Sequence, residues 1–386
     1  MRIPFSLVLL SCVYLSSLLC VGQARADEDE DTRRVHGSVG MRGNYYWERS
    51  TRVVAPAVNA ALITPSNVRI EGTYLLDAIT SASQATGVQS DVGFTEIRND
   101  VQAGVGYELD LDDSQLDLSV NGRFSKEPDY VSRGVGFAGA LSLFERTTTV
   151  RLNGYYLNDK VYKIDRMAPA DDPSQLMATD PLRLGTLQAV SVGLALDQVM
   201  TPTLIATVGA DIGHTNGFQA NVYRTAAFAD GGGRPEEHPE ERLRQAYYVW
   251  LAQYITRTRS ALRVGYRYYQ DSWRIFAHAP EVRVHQEIGR HAELRLRYRY
   301  YTQDSSFFWR KGGNLRKDRY ATADPKMSPF HNQTIGMKLR VELSFLAFTA
   351  LSFAEQAVLD FGIEYVFNTN RFGNGVIGQG GLSWAF

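Results

Sequence analysis

Residues 293–301 read E-L-R-L-R-Y-R-Y-Y, so Arg295, Arg297 and Arg299 recur at every second position. In an extended strand successive side chains point to opposite faces. That puts the three guanidinium groups in one column and Leu294, Leu296, Tyr298 and Tyr300 in the other. The same alternation places Arg263 with Arg267, Arg283 with His285, and Lys338 with Arg340 on the polar faces of their own segments. Cations fixed side by side along a wall select ions and polar solutes and favour anions. A second set, Glu71, Asp77, Asp100, Glu108 and Asp117, is interspersed with Arg69, Arg98 and Arg123. Mutual pairing of these charges competes with any selective role.

Catalysis has little support. The seven histidines, His36, His214, His238, His278, His285, His291 and His331, show no metal-ligand spacing such as H-E-x-x-H. There is no G-x-S-x-G, and no serine–histidine or acidic–histidine pairing of the kind used by barrel phospholipases and proteases. The expectation is a protein that is not an enzyme and carries no cofactor and no metal. Lys and Arg total 41 against 42 Asp and Glu. That balance argues against a nucleic-acid partner.

The N-terminus has the form of a secretory signal peptide: Arg2, an apolar run over residues 5–21, then Ala24-Arg25-Ala26. Cleavage after Ala26 leaves an acidic segment, residues 27–34, expected in the periplasm. Both cysteines, Cys12 and Cys20, fall in the removed part, so the remainder has no thiol for a disulfide, a metal or a nucleophile. No later stretch holds 18 consecutive apolar residues, which excludes a spanning helix.

The elements that must position the charges are strands. Segments of about ten residues with one apolar and one polar face recur from residue 35 to the end, and tyrosines cluster at the ends of the apolar faces. This is the pattern of an antiparallel outer-membrane β-barrel, whose apolar face meets lipid and whose aromatics sit at the interfaces. A soluble sandwich shares the alternation but has no need of the tyrosines. Connections alternate between short turns and longer loops, most clearly in the second half, and the count gives sixteen strands with both termini periplasmic. The weakest segments are residues 52–63, interrupted by Pro56, and residues 276–288; loss of either makes fourteen or eighteen. The last strand puts Leu382, Trp384 and Phe386 on one face and ends the chain on the aromatic. That ending reads as a signal for the barrel-assembly machinery, and the strand is expected to pair with residues 35–47.

Three stretches resemble a known bacterial family. They are Y-Y-W-E-R-S-T-R-V-V-A-P (residues 45–56), D-A-I-T-S-A-S (77–83) and S-K-E-P-D-Y-V-S (125–132). The family is one of predicted outer-membrane barrels known only as a domain of unknown function. The resemblance implies the barrel and its location and no established activity; the family has a Gly where Ser81 or Ser83 stands. At the outer rim, Asp77, Glu127, Asp129 and Tyr130 have two readings. They order a loop through the turn at Pro128 and Asp129, or their oxygens hold a cation such as calcium.

The expectation for function is a porin-like conduit in the outer membrane for polar solutes or a polar polymer, selective through the basic wall. A polysaccharide-export pore working with periplasmic components is its narrower form, and Tyr45, Tyr46, Tyr298, Tyr300 and Tyr301 serve either a saccharide path or the interfacial girdle. The alternative is a structural or adhesive barrel that acts through its outer loops.

Overall fold

Two-residue periodicity becomes sixteen strands in the computed structural model, which describes residues 35–49, 51–81, 94–164, 166–167, 177–178 and 180–386. The first eight are β1 (His36–Glu48), β2 (Thr51–Ile63), β3 (Val68–Ser81), β4 (Phe94–Leu111), β5 (Ser114–Lys126), β6 (Tyr130–Leu143), β7 (Thr148–Lys163) and β8 (Leu182–Thr201). The rest are β9 (Leu204–Gly217), β10 (Glu241–Ile255), β11 (Ser260–Asp271), β12 (Phe276–Ile288), β13 (Ala292–Gln303), β14 (Phe330–Glu342), β15 (Ala357–Asn368) and β16 (Gly375–Ala385). Each pairs antiparallel with its sequence neighbours, and β1 pairs with β16, closing one barrel. Closure satisfies every edge, as a sheet in lipid requires. The signal peptide and the acidic segment expected over residues 1–34 lie outside the described residues.

The closing register runs from Ser38 opposite Ala385 to Glu48 opposite Gly375. Beyond it, Phe386 and Gly37 exchange two backbone hydrogen bonds of 2.8 and 2.7 Å. The C-terminal strand therefore does pair with the first, over the expected segment.

Both strands that carry a proline are present. Pro56 keeps its partner Gly43 in β1, while the pairing of β2 with β3 skips from Val54 to Ala57. Pro280 keeps Tyr266 in β11, while the pairing of β12 with β13 skips from His278 to Glu281. A proline lacks one donor, so each ladder opens on one side only and the register resumes unchanged.

The outward face is mostly apolar, with polar residues such as Arg133, Lys160, His214 and His278 toward the loop end. Val101, Val105, Tyr107 and Leu109 of β4, and Leu296 and Tyr298 of β13, are exposed, whereas the polar residues between them face inward. Outward aromatics include Trp47 and Phe276 at one end and Trp384 and Phe386 at the other. One end carries turns of two to four residues, apart from residues 343–356, and both ends of the described chain. The other end carries the long connections 218–240 and 304–329.

Candidate functional site

The basic residues expected on one wall do share it. Cross-strand register sets Arg263 opposite Arg283, Arg283 opposite Arg297, and Arg295 opposite Lys338 on the inward faces of β11 to β14. Like charges facing each other repel, so carboxylates are threaded between them. Arg297 donates to Glu281 at 2.8 Å and to Glu364 at 2.7 Å. Arg283 donates to Glu281 at 2.5 Å. Arg267 meets Asp211 at 3.2 Å, Lys338 meets Asp360 at 2.8 Å, Arg340 meets Glu342 at 3.5 Å, and His285 meets Glu293 at 2.8 Å.

Two cations are left over: among the described residues, neither Arg295 nor Arg299 has a carboxylate within ion-pairing distance. Arg299 instead lies 5.3 Å from the centre of the Tyr301 ring. Arg295, Arg297, Lys338, Glu364 and Gln379 line one recess in the wall. The wall therefore pairs most of its charge internally and keeps a cationic surplus facing the lumen.

Sequence reading missed the residues that hold these cations. Trp250, inward on β10, lies 5.3 Å from the Arg263 guanidinium and 4.8 Å from that of Arg283. Alternation with Tyr248 and Ala252 was the only signal for it. Glu281 was hidden behind Pro280, and Asp360 and Glu364 belong to a strand one connection from Lys338 and two from Arg297, visible only once the register is known.

On the mixed wall of β3 to β5 each of the three arginines meets a carboxylate. Arg69 grips Asp117 with two bonds of 2.9 and 3.1 Å. Arg98 pairs with Asp77, Arg123 pairs with Asp100, and Gln115 donates to Glu108 at 2.6 Å. The three arginines act as struts, while Glu108, held by the neutral amide of Gln115, keeps its charge.

The rim motif is assembled at the loop end. Arg98 lies between Asp77 and Glu127, the latter at 4.0 Å. Tyr130 donates to Asp159, and the backbone oxygen of Asp129 accepts from Tyr162 at 2.8 Å. Asp129, Ser125 and Ser132 are buried, with Ser125 opposite Ser132 in the β5–β6 register. An arginine in the middle and a tight turn over 127–129 match the loop-ordering reading. Among the described residues, no group of three His, Cys, Asp or Glu is placed to hold a metal ion.

The loop end is capped from within. Connection 218–240 folds a small two-stranded sheet, Thr225–Ala227 with Gly233–Pro235, and is stitched to connection 304–329. Ala229 donates to the Asn314 oxygen at 3.0 Å, Asn314 donates to Ala227 at 2.9 Å, and Glu237 and Ala321 exchange bonds of 3.1 and 3.0 Å. Trp273, Ile275, Phe308 and Met327 form a buried cluster packed on Tyr269 of the inward wall of β11. Beside it Arg224 meets Asp324 at 2.6 Å and Glu236 at 3.6 Å. Glu236 also accepts from Thr322 and the Ala323 amide at 2.8 and 2.7 Å. Burial works against the charged form of Asp324, but Arg224 and Lys326 more than offset it and hold its carboxyl below the usual range. Gln303 on β13 anchors the cap by donating to the Lys326 and Ser328 oxygens at 2.8 and 2.9 Å.

Of the tyrosines with two readings, Tyr45 and Tyr298 face outward, with the girdle, whereas Tyr46 and Tyr301 face inward and bond Glu48 and Gln303. Leu382, Trp384 and Phe386 lie on the outward face of the closing strand.

These features define a transmembrane antiparallel barrel with a charged, capped interior. The family described as "Protein of unknown function (DUF3570)" matches residues 77–379, and the chain belongs to it. No curated protein matches. Solved structures to which it is similar include the siderophore receptor PirA from Acinetobacter baumannii, at 8% identity over 87% of this chain and 53% of that one, TM-score 0.47. The CymD monoaromatic hydrocarbon channel is similar at 10% identity over 91% and 88%, TM-score 0.41. A bacterial polysaccharide outer membrane secretin is similar at 8% identity over 92% and 99%, TM-score 0.47. The chain spans about half the length of the siderophore receptor.

Proposed function

We propose that the protein is an outer-membrane conduit for polar, preferably anionic, solutes, with the short-turn end in the periplasm and the interlocked loops acting as a gate on the outer side. The observation that carries this reading is the cationic surplus of the β11–β14 wall, where Arg295 and Arg299 face the lumen without a carboxylate partner among the described residues. A wall needed only for structure gains nothing from unneutralised like charge, which costs folding energy. Sixteen strands leave an interior wide enough for an aqueous path. Passage of a polar polymer, with periplasmic export components delivering it, is the narrower form; the inward rings of Trp250 and Tyr301 beside arginines suit a saccharide chain.

A second reading rests on the cap itself. Its apolar cluster and buried ion pairs are built like a small core, which suits a barrel that acts through its outer surface with a closed lumen. Planar-bilayer recording separates the two. The conduit reading requires channel steps, at least once the cap is loosened; the surface-acting reading requires none in either state.

A further inference from the structure

The turn-end connection between β14 and β15 breaks the pattern of that end. Every other connection there has two to four residues; this one fills 343–356. Its sequence from Leu343 to Ala354, L-S-F-L-A-F-T-A-L-S-F-A, contains no charge, and Glu342 and Glu355 bracket it. Phe348 is fully exposed, and Phe345, Leu351 and Phe353 are more than half exposed. Four large apolar side chains presented together to water would be costly, at about 25 cal/mol per Å² of apolar surface.

The backbone is prepared for a dry environment. Two 3-10 turns, Leu343–Leu346 and Ser352–Ala354, shape the segment. Amide donors of Ala347, Thr349, Ser352, Ala354 and Glu355 all bond carbonyls three residues earlier, at 2.9 to 3.3 Å. The Thr349 hydroxyl donates to the Leu346 oxygen at 2.8 Å, and the Leu351 amide donates back to that hydroxyl at 3.1 Å. Backbone placed against hydrocarbon must satisfy its polar groups internally.

The apolar surface also continues the lipid-facing belt. Phe353 lies 6.3 Å, ring to ring, from Trp384 on the outward face of β16. Phe345 packs edge-on to His291 at 5.7 Å, and His291 is tied to Ser344 at 2.9 Å, which fixes the segment to the neighbouring turn. We infer that residues 343–354 are an interfacial anchor: an uncharged elbow whose Phe345, Phe348, Leu351 and Phe353 lie in the headgroup–acyl boundary of the phospholipid leaflet at the turn end. Segments that lie in that boundary bind by buried apolar area. The anchor would fix the depth and tilt of the barrel beside its closing seam, and it rests on the proposed periplasmic placement of the short-turn end, whatever passes through the lumen.

The test uses the full barrel reconstituted in phosphatidylcholine–phosphatidylglycerol vesicles. A polarity-sensitive fluorophore is attached at Phe348→Cys, with Ser66→Cys on a short turn as the water control and Leu382→Cys on β16 as the lipid control. The label at position 348 is expected to be quenched by a nitroxide near the lipid headgroup several-fold more than at position 66, and to be shielded from aqueous iodide. Quenching at 348 equal to that at 66 would overturn the anchor. So would shielding that disappears as the protein is diluted in lipid, because it would mean a second copy of the chain covers the elbow. Phe348 is exposed, so its replacement leaves the barrel intact; a matching Phe353→Cys label checks that the whole segment behaves alike.

Discussion

The indole of Trp250 occupies the space that a side chain at Gly265 would need: a Cβ built there stands 2.4 Å from the ring atoms. The ring thus lies against the wall of β11, with the guanidinium groups of Arg263 and Arg283 on it. Cation–ring contacts of this kind contribute about 1 kcal/mol each. Trp250→Ala is expected to remove the ring that positions both arginines and lower anion preference while the barrel still assembles, read as a shift in reversal potential. Gly265→Ala pushes the ring into the lumen and should reduce conductance. If neither variant changes selectivity or conductance, Trp250 does not organise the wall.

Arg297 and Arg299 are neighbours on one face with opposite roles. Removing Arg297 strips Glu281 and Glu364 of their shared partner, a loss of about 3 kcal/mol for a largely buried pair. Arg297→Ala should lower the unfolding temperature in detergent, followed by heat-modified gel mobility. Arg299→Glu should leave stability closer to wild type and act on selectivity. Equal destabilisation by both would erase the distinction between strut and filter.

The cap should respond to acid with a definite sign. Asp324 has its carboxyl held below the usual range by Arg224 and Lys326 against the effect of burial. Its ion pair therefore contributes stability above the unfolded value, about pH 4. That contribution is lost as pH falls through the lower folded value. Channel opening should rise below about pH 4, and Asp324→Asn should show the open behaviour already at neutral pH. Conductance that is flat from neutral to acid pH in the wild type would contradict this.

Phe386 closes the sheet through its two bonds to Gly37, and its ring lies over that glycine. Deleting Phe386 should cut the amount of folded protein in the outer membrane while leaving the conductance of the molecules that do assemble unchanged. Normal membrane levels of the truncated chain would remove the residue from the assembly signal.

The strands were legible because alternation is a local property: each residue's face follows from its immediate neighbours. Pro56 and Pro280 obscured two strands only in part, since a proline opens one ladder and leaves the other. The arginine column was legible for the same reason. Its neutralisation was not: whether Arg297 meets Glu364 depends on the registers of β13 with β14 and β14 with β15, which no single stretch encodes. The cap was the least visible feature. Connections 218–240 and 304–329 have turn composition and no periodicity, and Arg224 finds Asp324 a hundred residues on. At 343–354 the apolar composition is legible, but the exposure of its phenylalanines is set by how two 3-10 turns fold.

The most direct measurement is the reversal potential across a planar bilayer in a potassium chloride gradient, for the wild-type protein and a variant with residues 307–326 replaced by a short Gly-Ser linker. Few, brief openings are expected for the wild type, larger steady steps for the variant, and a reversal potential on the chloride side that moves toward the potassium side when Arg295 and Arg299 are reversed to Glu. Absence of steps from both proteins, or cation preference in the uncapped one, would contradict the conduit reading.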